Sequence, residues 1–327
     1  MTKRVLITGA AGFTGWHILN HLQQQGYQVW GTTRTSRAQV PALQCCDFTD
    51  PKQITTLVKQ IRPQYVLHFA ARAFAQEADT LGYYQHNVLA TEHLLKALNA
   101  LSEPPKRVIL ASSAAVYGNQ GKEQLDESLC PKPAGHYGIS KLAMEHIAHG
   151  FADKLPIVCT RPFNYTGVGQ REPFLIPKLV RHFQQRASVI ELGNIDIARE
   201  FNDVRDVARW YTALMQTEQL PNPVINLASG QAHTVREMIR LLEEIAGYQI
   251  EIKTATHLKR AHDLPVLTGA STRLQAVVGE PLCRYSIGET LAWMYRAHAQ
   301  KNNRSETQTS QRDYCSDSMK PPKKLDV

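Results

Sequence analysis

Tyr137 and Lys141 stand four residues apart, and Ser113 precedes them in Ser112-Ser113-Ala114-Ala115-Val116-Tyr117-Gly118. On a helix, residues four apart share one face. These three residue types can together handle a proton at a carbonyl oxygen. A carbonyl that receives hydride needs an acid for its oxygen, and a phenol of pKa ~10 is too weak unless a neighbouring cation favours the phenolate. Lys141 supplies that charge, and Ser113 would hydrogen-bond the same oxygen. Many helices carry a Tyr and a Lys at this spacing by chance, so the elements that position the pair decide the reading.

The first element is the N-terminal stretch. Arg4-Val5-Leu6-Ile7-Thr8 reads as a buried parallel strand, and Ile18, Leu19 and Leu22 have the spacing of the following helix. Gly9-Ala10-Ala11-Gly12-Phe13-Thr14-Gly15 joins them. Glycines at three-residue intervals permit a sharp turn, close approach of a pyrophosphate and tight helix-on-strand packing. The helix N-terminus then presents free N–H groups to the anion. A purely steric use of the glycines is the alternative, and the position of the turn between the first strand and first helix favours a dinucleotide site.

Strands and helices then alternate. Tyr27–Thr33 reads as the second strand, Ala42–Cys46 as a short third, Tyr65–Ala71 as a fourth, Arg107–Ala111 as a fifth and Leu155–Thr160 as a sixth. Tyr137 and Lys141 head a helix that runs to about Asp153. Regular alternation predicts an α/β fold, a doubly wound parallel Rossmann sheet with right-handed crossovers. From residue 165 the alternation breaks down. Helices near Phe174–Gln184, Val204–Met215, Val235–Ala246 and Ile287–His298 are separated by strands at Val189–Leu192, Val224–Leu227 and Ile250–Lys253. We expect a dinucleotide-binding domain over 1–164, to which later segments return. A smaller, partly interleaved substrate lobe spans 165–300, and 301–327, polar and without apolar period, reads as a disordered tail.

No acid for a ribose 2′-hydroxyl ends the second strand. Thr33-Arg34-Thr35-Ser36-Arg37 stands there instead, and Arg34 with Arg37 suits a 2′-phosphate. This favours NADP over NAD, solvated loop arginines being the alternative. Ala70 and Ala71 leave room for a cofactor over the fourth strand. His68 reads as a packed core histidine, and Asp50 before Pro51 as a helix N-cap.

The glycine spacing, the Ser-Ser-x-x-Val-Tyr-Gly strand end, the Tyr137/Lys141 pair and Arg161-Pro162-Phe163-Asn164 together resemble the extended short-chain dehydrogenase/reductase (NAD-dependent epimerase/dehydratase) family. The second half resembles its GDP-mannose 4,6-dehydratase and GDP-4-keto-6-deoxy-D-mannose reductase branch, on Gly167-Val-Gly169-Gln170, Leu192–Asp196, Arg199–Asp206 and Arg260-Ala-His-Asp263. The resemblance covers nearly all of residues 1–300 and implies an oxidoreductase acting on a nucleotide sugar. It carries over Ser113, Tyr137 and Lys141 as catalytic residues, with Tyr137 and Lys141 also touching the cofactor. It implies Gly9, Gly12, Phe13, Thr14, Gly15, Asp47 and Phe48 at the cofactor, the last two beside the adenine, and Asn87 as a brace. Asn164 and Arg199 would contact the sugar nucleotide, Arg260 its diphosphate and Asp263 a ribose. The dehydratases carry an acidic residue just after the triad Ser or Thr, where this chain has Ala114 and Ala115. A methyl group cannot shuttle a proton, so the reading is a reductase producing GDP-D-rhamnose, not a dehydratase. The alternatives are a sugar-nucleotide 4-epimerase that retains NAD and a catalytically silent dinucleotide sensor.

Composition agrees with a globular chain: 43% of the 327 residues are hydrophobic and 20% charged. No apolar stretch approaches a membrane span or a secretion signal, so cytoplasmic residence, with no membrane partner, is the default expectation. Cys45, Cys46, Cys130, Cys159, Cys283 and Cys315 form no C-x-x-C pair, and no metal is expected. The formal charge of +8 is scattered, which disfavours nucleic acid and leaves a nucleotide-sugar substrate and a homodimer as expected partners.

Overall fold

Val5, Leu6, Ile7, Val66, Leu67, Val108, Ile109 and Leu110 are all buried, as strands covered on both faces require. In the computed structural model they lie in a seven-stranded sheet whose neighbouring strands all run parallel. Its spatial order is Val224–Leu227, Ile157–Pro162, Arg107–Ala111, Tyr65–His68, Arg4–Thr8, Gln28–Thr33, Leu43–Cys45. This is the doubly wound α/β arrangement, whose reversal point lies beside the first strand. The structure describes residues 3–34, 42–72, 79–218, 220, 222–255, 257 and 264–297. Arg37, Arg260, Asp263 and the whole of 301–327 lie outside the described residues.

One core lies under each face. Helices Phe13–Gln24 and Val204–Gln216 meet on one side, where Ile18, Leu22, Val207, Trp210, Tyr211 and Leu214 pack with Val5 and Ile7. Helices Pro51–Ile61, Ala90–Asn99 and His136–His149 cover the other with Ile54, Val58, Leu94, Leu98 and Met144. Asp50 caps Pro51–Ile61 by accepting from the N–H groups of Lys52 and Gln53. The third expected strand shrinks to Leu43–Cys45.

Val224–Leu227, read from the sequence as spacing in the lobe, is the outer strand of the central sheet beside Ile157–Pro162. Ile225, Asn226 and Leu227 are buried there, which a strand facing a lobe surface would not need. Outside the central sheet, helices Leu175–Gln184, Val235–Ala246 and 287–297 share a third core. A separate four-stranded sheet has the order Ala232–Thr234, Ala198–Glu200, Val266–Gly269, Gln124–Leu125.

Candidate active site

The glycine turn is shaped by contact with backbone. Gly9 takes φ +67°, and a Cβ there would lie 2.8 Å from the Ala70 amide nitrogen. A Cβ on Gly15 would lie 2.5 Å from the Gly9 carbonyl oxygen and 2.7 Å from Ala10 Cα. Thr8 locks the same spot, since its hydroxyl accepts from the N–H of Phe69 (3.1 Å) and Ala70 (3.0 Å). Helix Phe13–Gln24 starts at Gly12 with no side-chain cap and no acid in its first turn. A turn that cannot admit a Cβ, opening onto uncapped N–H groups, fits a dinucleotide pyrophosphate. Phe13 and Thr14 point across to the lobe: Phe13 stacks on Tyr165 at 5.9 Å, and Thr14 Oγ1 is 2.6 Å from the Tyr165 hydroxyl.

Arg34 is exposed at the end of the second strand. Asp47 Oδ1 accepts from Thr49 N–H (2.9 Å) and Thr49 Oγ1 (2.8 Å), which holds its carboxyl below the usual range, while Phe48 is buried. The charges of Arg34 and Asp47 both reach His86, with opposite effect on its proton affinity. Ala70 and Ala71 follow the fourth strand, half-buried. His68 is a core residue, with Nδ1 2.7 Å from Thr8 Oγ1 and Nε2 2.9 Å from Thr91 Oγ1; burial pushes its pKa down to about 3.

Ser113, Tyr137 and Lys141 converge. Ser113 follows strand Arg107–Ala111, its Oγ accepts from the Ala115 N–H at 3.1 Å, and it lies near enough to the Tyr137 phenol to lower its proton affinity. Lys141 is 4% exposed and donates from Nζ to the Ala111 carbonyl at 2.7 Å. The sequence leads one to expect Lys141 to pull the Tyr137 phenol down. In the structure burial pushes that phenol up to about 12, against the pull of Ser113, and pushes Lys141 down to about 8, against the pull of Glu145. Desolvation outweighs the expected attraction, so Tyr137 holds its proton throughout the neutral range. Asn87 ties the helix of Tyr137 and Lys141 to the segment after the fourth strand: its Nδ2 donates to Ser140 Oγ (3.0 Å) and to the Arg72 carbonyl (3.2 Å), and its Oδ1 accepts from Arg72 N–H (2.8 Å). It sits in a π-helical turn, Tyr84–Leu89, inside the helical run from Thr80 to Asn99, earlier than the expected start at Asn87.

Ala114 packs against Val116, Tyr117 and Phe163, and Ala115 is exposed. Asn164 emerges from the neighbouring strand with an exposed side chain, its carbonyl held by Asn202 N–H at 2.9 Å. Arg199 lies on the four-stranded sheet, where Nη1 donates to the carbonyls of Ala198 (2.8 Å) and Leu264 (2.9 Å). Two features escaped the sequence reading: the Tyr165–Thr14 link and a buried Glu145–Arg161 pair. The four-residue step from Lys141 to Glu145 was a legible signal for the second. Among the described residues no group of His, Cys, Asp and Glu is placed to hold a metal ion, and no helix is long and apolar enough to cross a membrane.

This fold and site define a dinucleotide-dependent enzyme of the short-chain type. Residues 5–228 match the model of the NAD dependent epimerase/dehydratase family, and the chain belongs to that family as an NAD(P)-dependent oxidoreductase. It is 32% identical over 294 residues to a GDP-6-deoxy-D-talose 4-dehydrogenase of Aggregatibacter actinomycetemcomitans, covering 90% of this chain and 97% of that one. It is also 32% identical over 291 residues to a GDP-6-deoxy-D-mannose reductase of Pseudomonas aeruginosa, covering 85% and 92%. The solved structure of RMD from Pseudomonas aeruginosa complexed with NADPH superposes with a TM-score of 0.79 at 29% identity, covering 90% of this chain and 97% of that one.

Proposed function

We propose that the protein reduces the C4 keto group of a nucleotide-activated 4-keto-6-deoxyhexose with NADPH, converting GDP-4-keto-6-deoxy-D-mannose to GDP-D-rhamnose. The observation that carries this is Ser113 at the strand end beside the buried Tyr137 phenol and buried Lys141, with two alanines following it. The bound nicotinamide supplies hydride. Tyr137 donates the proton to the C4 oxygen, Ser113 donates a hydrogen bond to it, and Lys141 holds positive charge against the phenolate left behind. Asn164 orients the sugar. Arg199, with Arg260 and Asp263 beyond the described residues, completes the nucleotide site, and Arg34 receives the 2′-phosphate. A homodimer is part of the same reading.

A second product has a specific observation behind it. One relative is named for 6-deoxy-D-talose and another for 6-deoxy-D-mannose, sugars that differ in configuration at C4. Presenting the opposite face of C4 to the nicotinamide would give the talose product. The test is incubation with NADPH and GDP-4-keto-6-deoxy-D-mannose, following absorbance and assigning C4 by NMR. NADPH consumption giving GDP-D-rhamnose is expected, with a lower kcat/KM for NADH. GDP-mannose with NADP⁺ alone should give no keto product, and dehydration by this protein would contradict the role given to Ala114 and Ala115.

A further inference from the structure

Tyr137, Lys141 and Glu145 recur at four-residue intervals on helix His136–His149, forming one row. Arg161, from the adjacent strand Ile157–Pro162, closes the row. Its Nε donates to Glu145 Oε1 at 3.0 Å and its Nη2 to Oε2 at 2.7 Å, with side chains 5% and 8% exposed. The guanidinium also lies over the Tyr117 ring, 4.8 Å from its centroid. Buried pairs of this kind are a poor device for stability, because desolvating both ions offsets most of their attraction. Their effect on a neighbouring charge is more specific. Along the row stand a phenol, an ammonium, a carboxylate and a guanidinium. With the phenol protonated the row carries one excess positive charge; with phenolate the signs alternate and the row is neutral.

We propose that Glu145 is a positioning residue for the reduction: held by Arg161, it keeps Lys141 charged, and through Lys141 it governs proton release from Tyr137. The proposal rests on the reading of Tyr137 as proton donor. Without the carboxylate, Lys141 would keep its desolvation cost but lose the opposite charge that offsets it, and would discharge at lower pH. The bidentate grip matters too. It occupies both carboxylate oxygens, so Glu145 acts on Lys141 through its field while Nζ stays on the Ala111 carbonyl. The other groups facing Lys141 are Cys159 on the same strand as Arg161 and His68 on the fourth strand. Burial raises the Cys159 thiol far above its ordinary range and keeps His68 neutral. Among the described residues, Glu145 is thus the acid whose charge reaches Lys141 at neutral pH.

The sign of the effect follows. A nearby carboxylate raises an ammonium pKa, so removing it makes Lys141 lose its proton at lower pH. Reduction requires charged Lys141, and the alkaline fall in kcat should move with it. The experiment titrates the Lys141 Nζ by ¹⁵N NMR in the sugar-free enzyme, assigned by its loss in Lys141→Arg, and records kcat against pH. Glu145→Gln should shift both downward by about one pH unit or more. Arg161→Gln, which leaves the carboxylate uncompensated, should shift both upward; the double variant should fall between, and Glu145→Asp should return toward wild type. A merely structural role would lower kcat by one factor at every pH and leave the titration unmoved, and that result overturns the proposal. If Glu145→Gln does not fold, comparing the double variant with Arg161→Gln isolates the same charge. If the titration shifts but no keto sugar is reduced, the substrate reading fails and the role of Glu145 stands. If it does not shift, the role fails whichever sugar is turned over.

Discussion

The cofactor edge of the central sheet and the substrate-side lobe are built on different kinds of contact. At the edge the decisive features are Gly15 against the backbone of Gly9 and Ala10, Gly9 against the backbone of Ala70 on the adjoining strand end, and Lys141 one helical turn from Tyr137. In the lobe, buried acids collect donors from distant segments. Glu200 accepts from Asn202 Nδ2 (2.7 Å), from the N–H and hydroxyl of Ser229, and from Gly269 N–H (3.0 Å). Asp203 accepts from Arg205 and from Thr290 Oγ1 (2.7 Å), and Asp206 from the N–H groups of Arg284 and Tyr285. Damage at the edge should therefore stay local and abolish chemistry or cofactor binding. Damage in the lobe should spread through several segments and weaken substrate binding.

The largest effect should come from Tyr137→Phe, which keeps the ring and its 6.2 Å contact with Tyr83 but removes the acid. Turnover should fall by about two to four orders of magnitude with NADPH affinity little changed, as read from kcat and fluorescence quenching. A variant with full activity would break the comparison at its strongest point. Gly15→Ala comes next. The new methyl meets only backbone, which cannot give way, so stability should drop by about 1–3 kcal/mol. NADPH binding should weaken by roughly tenfold or more as the turn is displaced, with the lobe's affinity for GDP unaffected. Glu200→Gln should be mildest at the chemistry. It turns one acceptor into a donor among donors, costing about 1–3 kcal/mol in the melting transition. KM for the sugar nucleotide should rise while NADPH affinity holds; a fall in NADPH affinity of the same size would show that the two regions are not separable.

This contrast also explains what could be read in the chain. The alternation through residue 164, the glycine turn and the Tyr137–Lys141 face are local signals, and the structure keeps their order. Val224–Leu227 was misplaced because its partner strand lies some sixty residues earlier, and periodicity carries no record of pairing. The four-stranded sheet was invisible because its strands are two to four residues long and scattered from Gln124 to Gly269. The Tyr165–Thr14 contact joins residues 151 apart. The proton affinities of Tyr137 and Lys141 were read from their mutual charge, whereas burial dominates both, and burial is a property of the folded chain. Arg199 was read as a contact to the sugar nucleotide, and that its Nη1 also serves two backbone carbonyls could not be seen in the chain.

The late return of Val224–Leu227 to the central sheet has a consequence for how the chain is made. Until that strand leaves the ribosome, Ile157–Pro162 stands as an open parallel edge, and open edges invite pairing with other chains. At ~5–20 residues per second, synthesis from Pro162 to Val224 leaves the edge uncovered for several seconds. The nascent chain is at its most association-prone in that interval. The same late stretch supplies helix Val204–Gln216, whose Trp210 and Tyr211 are buried in the core on one face of the sheet.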